Sequence, residues 1–350
     1  MEINRPEDTA VTRTDSPRRV LVVGAGGFVG GFAVEEGLRR GYEVWAGVRE
    51  STSRKYLTDK RIHFVTLTFD DPSRLADELR DALPEGERWD YIIYNLGATK
   101  CLNFADFNTI NYEYLRYFTG AIERAGMMPQ KMLYMSSLSV MGPGDERHYT
   151  PFTPQRIPIP DTRYGASKLK AEMWLATCPI PSIIFRATGI YGPRDKDYFL
   201  MFKSIEKGVD FSVGFRRQML TFIYVTDLTT AMYDALEKAP TGTTYIISEE
   251  RGYTQGEFRR IAAQALGRKF VLPVRVPIWG LKVVSVIAEK IGVVRMKPST
   301  LNRDKYHIMR QRNWLADVTD AKRDFGFTPE VSLEEGVRRA VAWYKKEGWL

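Results

Sequence analysis

Apolar and polar positions follow two rhythms in the first half of the chain. Short β-branched runs closed by glycine or polar residues predict buried strands at 18–26 (RRVLVVGAG), 42–49, 62–69, 89–98, 131–140 and 181–192. The stretches between them carry apolar positions three and four apart and predict helices at 27–41, 71–83, 107–126 and 164–178. Gly41 and Gly126 end two of these helices; Asp71 and Pro72 start another as N-cap and first helical residue. Strand–helix alternation of this kind implies a parallel sheet covered on both faces. The expected fold class is α/β, a doubly wound parallel sheet (Rossmann).

After Gly192 the rhythm breaks. Residues 193–211 and about 253–328 are mixed, while 220–239 predict a helix and 243–248 a strand returning to the main sheet. The organisation expected is a disordered lead-in over 1–17, a dinucleotide-binding domain over 18–192 plus about 219–248, and a smaller interleaved C-terminal substrate lobe over about 193–218 plus 249–350. No internal repeat is visible. The longest apolar stretch, 276–294 (VPIWGLKVVSVIAEKIGVV), is interrupted by Lys282, Glu289 and Lys290 and is too short and too charged to span a bilayer. A lid or core helix is expected there, with a membrane-surface helix as the alternative.

At 44% hydrophobic and 27% charged, the composition is that of a soluble globular protein. The charge of +8 is spread without a dense basic block and without a recognised module. It therefore predicts no nucleic-acid partner, while leaving room for an anionic small-molecule ligand. Cys101 and Cys178 make no disulfide framework and fit a reducing compartment, so a cytoplasmic location is expected. His63, His148 and His307 lack metal-ligand spacing, and no metal is expected. The N-terminus has no apolar signal-peptide core.

Three constellations carry chemistry. Gly24, Gly27 and Gly30 form G-x-x-G-x-x-G between the first strand and first helix, where backbone can approach a pyrophosphate at a helix N-terminus. The second strand ends not on the acid of the NAD pattern but on Arg49, with Arg54 and Lys55 behind it. Guanidinium matches a 2′-phosphate, so NADP(H) is favoured over NAD(H), with Glu50 as the residue through which a ribose would still be bonded. Ser136 and Ser137 end the fifth strand, and Tyr164 and Lys168 stand four apart on the following helix. All four belong to the cofactor rim of a parallel sheet. A nearby ammonium and a positive nicotinamide would favour the Tyr164 phenolate as proton carrier.

In this order the motifs resemble the extended short-chain dehydrogenase/reductase superfamily, from about Arg19 to Leu350. VVGAGGFVG, with Phe28 and Val29, is similar to its cofactor loop; YNLGA, with Leu96, Gly97 and Ala98, is similar to the strand end against the cofactor. Asn111 matches the helix asparagine, SSLSVMG the serine stretch, and FRATGIYGPR the R-P-x-x-V-Y-G-P segment with Ala187 for proline. The resemblance implies Ser137, Tyr164 and Lys168 as catalytic residues, with Tyr164 and Lys168 also at the cofactor. Leu138 and Ser139 replace the Asp-Glu of the dehydratases, which disfavours elimination. Leu220 and Thr221 replace the Arg-Asp of many epimerases, although Arg216 and Arg217 are near, and Thr68 replaces the aspartate that commonly contacts adenine. The Arg49 loop resembles the dihydroflavonol-reductase and 3β-hydroxysteroid-dehydrogenase-like branch.

The function expected is NAD(P)(H)-dependent oxidation or reduction at a secondary alcohol or ketone of a small ring substrate. A sugar or nucleotide-sugar epimerase with recycled NAD is the alternative, and a non-catalytic dinucleotide sensor a minor one. By position, Lys100, Cys101, Met141, Tyr191, Arg216 and Arg217 are candidate substrate contacts. The family also implies a homodimer through 111–126 and 166–178.

Overall fold

A computed structural model describes residues 17–294, 299 and 301–350; the lead-in expected over 1–17 lies outside them apart from its last residue. Six strands, β1 (Arg19–Val23), β2 (Glu43–Val48), β3 (Ile62–Thr66), β4 (Tyr91–Tyr94), β5 (Lys131–Ser137) and β6 (Ser182–Ala187), join the strand Thr243–Ile247 in one parallel sheet. From one edge the order is Thr243–Ile247, β6, β5, β4, β1, β2, β3. The chain leaves β1 toward one edge and returns through β4 on the other side of β1. The sheet reverses there, and the crevice at that switch point is where a parallel α/β sheet offers a ligand site.

Strand residues are buried on both faces because helices cover both. Val20 and Val22 of β1 enter a core with Val44, Ile93, Leu133, helix α1 (Phe28–Arg39) and the helix Val225–Lys238. Leu21 and Val23 point the other way, into a core with Trp45, Ile92 and Tyr134 under α2 (Pro72–Arg80), α4 (Tyr114–Arg124) and α5 (Arg163–Leu175). This alternation is the period of two expected of a strand, and each such side chain stabilises the fold by ~1.5–3 kcal/mol. The predicted α2 start is present: Asp71 accepts from the N–H groups of Ser73 and Arg74, and Pro72 follows it.

The helix predicted over 107–126 is not continuous. It comprises α3 (Phe104–Asn108), a π-turn at Thr109–Glu113, and α4. The wider turn carries Asn111, whose side chain is held by the backbone of Ala98. The strand predicted over 181–192 ends at Ala187; Gly189–Tyr191 instead pairs with Phe222–Tyr224 outside the main sheet. The irregular region holds a helix at Asp197–Glu206 and a strand at Val209–Val213 paired with Leu272–Val276. A separate apolar cluster joins Phe202, Tyr253, Phe258 and Tyr344.

Candidate active site

The glycine loop turns at the end of β1. Gly24 has φ +83°, and a Cβ there would lie 2.9 Å from the Leu96 nitrogen, which follows β4. Glycine is therefore required both for the turn and for closing the switch point. At Gly30 a Cβ would meet the Gly24 carbonyl oxygen at 2.2 Å, so glycine lets α1 begin directly against the loop. Gly27 is the N-cap of α1, with ordinary φ −78° and no side-chain cap, which leaves the first amides of α1 for an anion. These features fit a dinucleotide diphosphate.

A cleft of about 910 Å³ opens over the loop. Gly24, Gly27, Phe28, Val29, Arg49, Lys55, Leu96, Gly97, Tyr164 and Lys168 line it; Gly30, Arg54, Ala98 and Asn111 do not. Arg54 is turned away, its guanidinium 4.2 Å from the centre of the Phe64 ring on β3. Thr68 is engaged as well, donating through both its amide and its hydroxyl to Glu78 at 2.7 Å. Asn111 is buried: its amide oxygen accepts from the Ala98 N–H at 2.8 Å, and its NH₂ donates to the Ala98 carbonyl and to Ser167 Oγ. Its task is to fix the strand end bearing Leu96 and Gly97.

Arg194 also lines the cleft, a residue the motifs did not single out. Its guanidinium lies between the rings of Phe32 and Tyr56, 4.6 Å from each centre, and bonds Glu35 at 2.7 Å. Nε and Nη1 are enclosed without a protein acceptor, and the backbone adopts φ +73°. A non-glycine residue held in that region, with donors left over, is a common mark of a binding site.

Ser136, Ser137, Tyr164 and Lys168 line the same cleft. Thr162 caps α5 by accepting from the Gly165 N–H at 2.9 Å, and the Tyr164 N–H donates to Asp304 at 2.9 Å. Burial raises the pKa of the Tyr164 phenol above its ordinary value, and a hydrogen bond with the Ser137 side chain opposes the rise. Lys168, 3% exposed, donates to the Met135 carbonyl at 2.7 Å, and burial lowers its pKa to about 7. Burial thus pushes Lys168 toward neutrality and weakens the ammonium effect expected on Tyr164. A Cβ on Gly97 would come within 2.9 Å of Lys168 Nζ, so the amine faces the cleft wall beside the strand end.

Beneath these residues lies a buried ionic group. Glu172, one turn beyond Lys168, receives the Arg186 guanidinium at 2.6 Å and the Ser136 hydroxyl, joining α5, β6 and β5. The sequence signal was an apolar strand interrupted by Arg186, facing a helix carrying Glu172 at the Lys168+4 position.

A second cavity of about 510 Å³ adjoins the cleft, and Ser137, Asp197, Tyr198 and Lys305 belong to the walls of both. Its charged lining residues are Asp197, Asp210 and Lys305. Of the expected substrate contacts, Lys100 lines the first cleft and pairs with Asp197. Cys101 lines neither cavity; Met141 is buried against Arg186, and Tyr191 packs in the C-terminal cluster. Arg216 and Arg217 are exposed and outside both cavities, so neither reaches a diphosphate there.

Comparison with known proteins matches residues 20–248 to the NAD dependent epimerase/dehydratase family. An uncharacterized protein of Sinorhizobium fredii is 25% identical over 268 residues, 73% of this chain and 74% of that one. A decarboxylating sterol-4-alpha-carboxylate 3-dehydrogenase of Saccharomyces cerevisiae is 22% identical over 238 residues, covering 61% of this chain and 65%, under two thirds, of its own length. Among solved structures, UDP-glucose 4-epimerase of Thermotoga maritima with UDP-glucose superposes with TM-score 0.74 at 21% identity, over 94% of this chain and 99% of that one. At that identity the likeness concerns the fold.

Proposed function

This chain belongs to the NAD dependent epimerase/dehydratase family, of the extended short-chain dehydrogenase/reductase type, and on that premise we propose an oxidoreductase acting on a secondary alcohol or ketone of a largely apolar ring substrate. The observation that carries the reading is Ser137. It belongs to the walls of both cavities, beside Tyr164 and Lys168, so a substrate oxygen entering from the second cavity meets a hydroxyl at the cofactor cleft.

A nicotinamide bound in the cleft supplies or accepts the hydride. Tyr164 Oη gives its proton to the substrate oxygen in reduction and takes it back in oxidation. Ser137 Oγ donates to the same oxygen and fixes its position. Lys168 Nζ would donate to the nicotinamide ribose, and in its protonated form would favour the phenolate. The α1 amides hold the diphosphate, with Arg194 Nη1 as an additional donor. Arg49 and Lys55 favour NADP(H) through a 2′-phosphate.

The second cavity supports an uncharged substrate. Two carboxylates and one lysine are its charged lining residues, and no arginine lines it among the described residues. Both carboxylates are already paired, Asp197 with Lys100 and Asp210 with Arg259, which leaves a mostly apolar lining that offers a diphosphate no guanidinium fork. Leu138 is buried and Ser139 is no acid, so the elimination chemistry of a dehydratase lacks its proton donor.

Family and fold equally support an epimerase that recycles NAD on the same three residues. Typing the nucleotide released from denatured protein separates the two: NADP(H) or none favours the oxidoreductase, copurified NAD without net redox the epimerase. The test of the common mechanism is Tyr164→Phe, which is expected to lose turnover and keep dinucleotide binding. Full activity in that variant would sink it.

A further inference from the structure

The helix Ile278–Val294 is anchored on one side and bare on the other. Leu281 and Ser285 are buried, and Leu281 packs with Val213 and Tyr306 beside Leu301 and Met309. On the outer side Trp279 is 74% exposed, Val283 52%, Val284 51%, Ile287 52% and Ile291 46%. Trp279, Val283, Ile287 and Ile291 follow at four-residue intervals and form one stripe, which Val284 widens. Large apolar residues are exposed elsewhere too, among them Ile157, Phe215 and Phe270 on loops, but here they gather along one helix face.

The charges on this helix are sorted. Lys282 and Lys290 are exposed, while Glu289 is turned inward to Arg303, with 3.5 Å between Oε2 and Nε. Lys282 borders the stripe and Lys290 stands on it, seven residues after Val283, so the exposed charges among the described residues of the helix are cations alone. A Trp at one end, aliphatic residues along one face and exposed lysines is the pattern of a helix lying in a membrane interface. No described helix is long and apolar enough to cross a membrane. Pairing with a second copy through this stripe would gather the exposed lysines of both copies at one interface, with no exposed acid of this helix to offset them. Leu301 and Met309, which back the helix, also line the second cavity, and Phe211, 57% exposed, lines it from another strand.

We propose that this face docks on an anionic phospholipid surface, the stripe entering the headgroup boundary and the two lysines reaching the phosphates. The docking is independent of the chemistry proposed above, and its test reads no activity.

The full chain is sedimented with vesicles of phosphatidylcholine alone and of phosphatidylcholine with phosphatidylglycerol. Binding to the anionic vesicles, weakened by salt, is expected. Val283→Glu combined with Ile287→Glu is expected to lower the bound fraction more than about tenfold, with melting temperature and dinucleotide binding unchanged. Lys282→Gln with Lys290→Gln is expected to weaken binding to anionic vesicles specifically. Wild-type protein that stays in solution with both vesicles overturns the proposal, as does undiminished binding of the glutamate variant. So does a dimer in solution that the glutamate variant splits, since a second copy would then be what covers the face.

Discussion

Asp304 accepts a 2.9 Å hydrogen bond from the backbone N–H of Tyr164, across 140 positions of sequence. The residue proposed for proton transfer is therefore held at the first turn of α5 by a carboxylate from the helix Arg303–Arg310. Removing that acceptor with Asp304→Ala is expected to cost about 1 kcal/mol of local order and to lower kcat by roughly tenfold, with dinucleotide affinity unchanged. Asp304→Asn keeps an acceptor oxygen and is expected to restore most of the rate. Steady-state kinetics of the two variants decide; equal losses in both would remove the positioning role.

Cofactor choice is the second prediction. Arg49 and Lys55 line the cleft, and Arg54 does not. Arg49→Glu is expected to weaken NADPH binding by about tenfold or more and to leave NADH nearly unaffected, whereas Arg54→Glu changes neither. Fluorescence titration with both nucleotides measures this, and a large NADPH effect from Arg54 would reassign the phosphate site.

Lys168 provides a pH signature. Burial lowers its pKa to about 7 in the folded protein, against ~10.4 in an unfolded chain. Between these values the unfolded state binds more protons, so this residue makes stability rise with pH. Its penalty is full below pH 7 and fades toward ~10.4. Lys168→Met is expected to raise the melting temperature most at pH 6 and least above pH 9, while reducing kcat/KM at least ~100-fold. A stability difference independent of pH would contradict the buried neutral amine.

The ionic group under the site is the fourth. Glu172 and Arg186 are 5% and 7% exposed, so removing one partner leaves a charge without water or counter-ion. Glu172→Ala is expected to destabilise by about 3–5 kcal/mol, seen as a lower denaturant midpoint with unchanged slope. A loss below about 1 kcal/mol would mean that water enters the site.

Much of this arrangement was legible in the sequence because local signals and topology agree. The strand–glycine–helix order fixes where the loop must lie, and the four-residue step from Tyr164 to Lys168 puts both on one face of α5. Other features depend on contacts that no local pattern encodes. The π-turn at Asn111 answers to Ala98, thirteen residues earlier, while Asp304 reaches Tyr164 from a helix 140 positions away whose own sequence gives no sign of that contact. Arg54 looks like Arg49 in sequence; which of the two faces the cleft is decided by Phe64 on the neighbouring strand. Met141 and Tyr191 sit close to the motifs along the chain, but the turns of the backbone send them into packed interiors.

That placement of Arg54 has a use of its own. Among the described residues β3 is the last strand on its side of the sheet, and Phe64 on it is exposed. A guanidinium laid over that ring puts a fixed positive charge where another extended chain would have to add. A cation that resembles a cofactor ligand in the sequence thus sits where charge disfavours edge-to-edge addition, and Arg54→Ala is expected to lower solubility at high concentration.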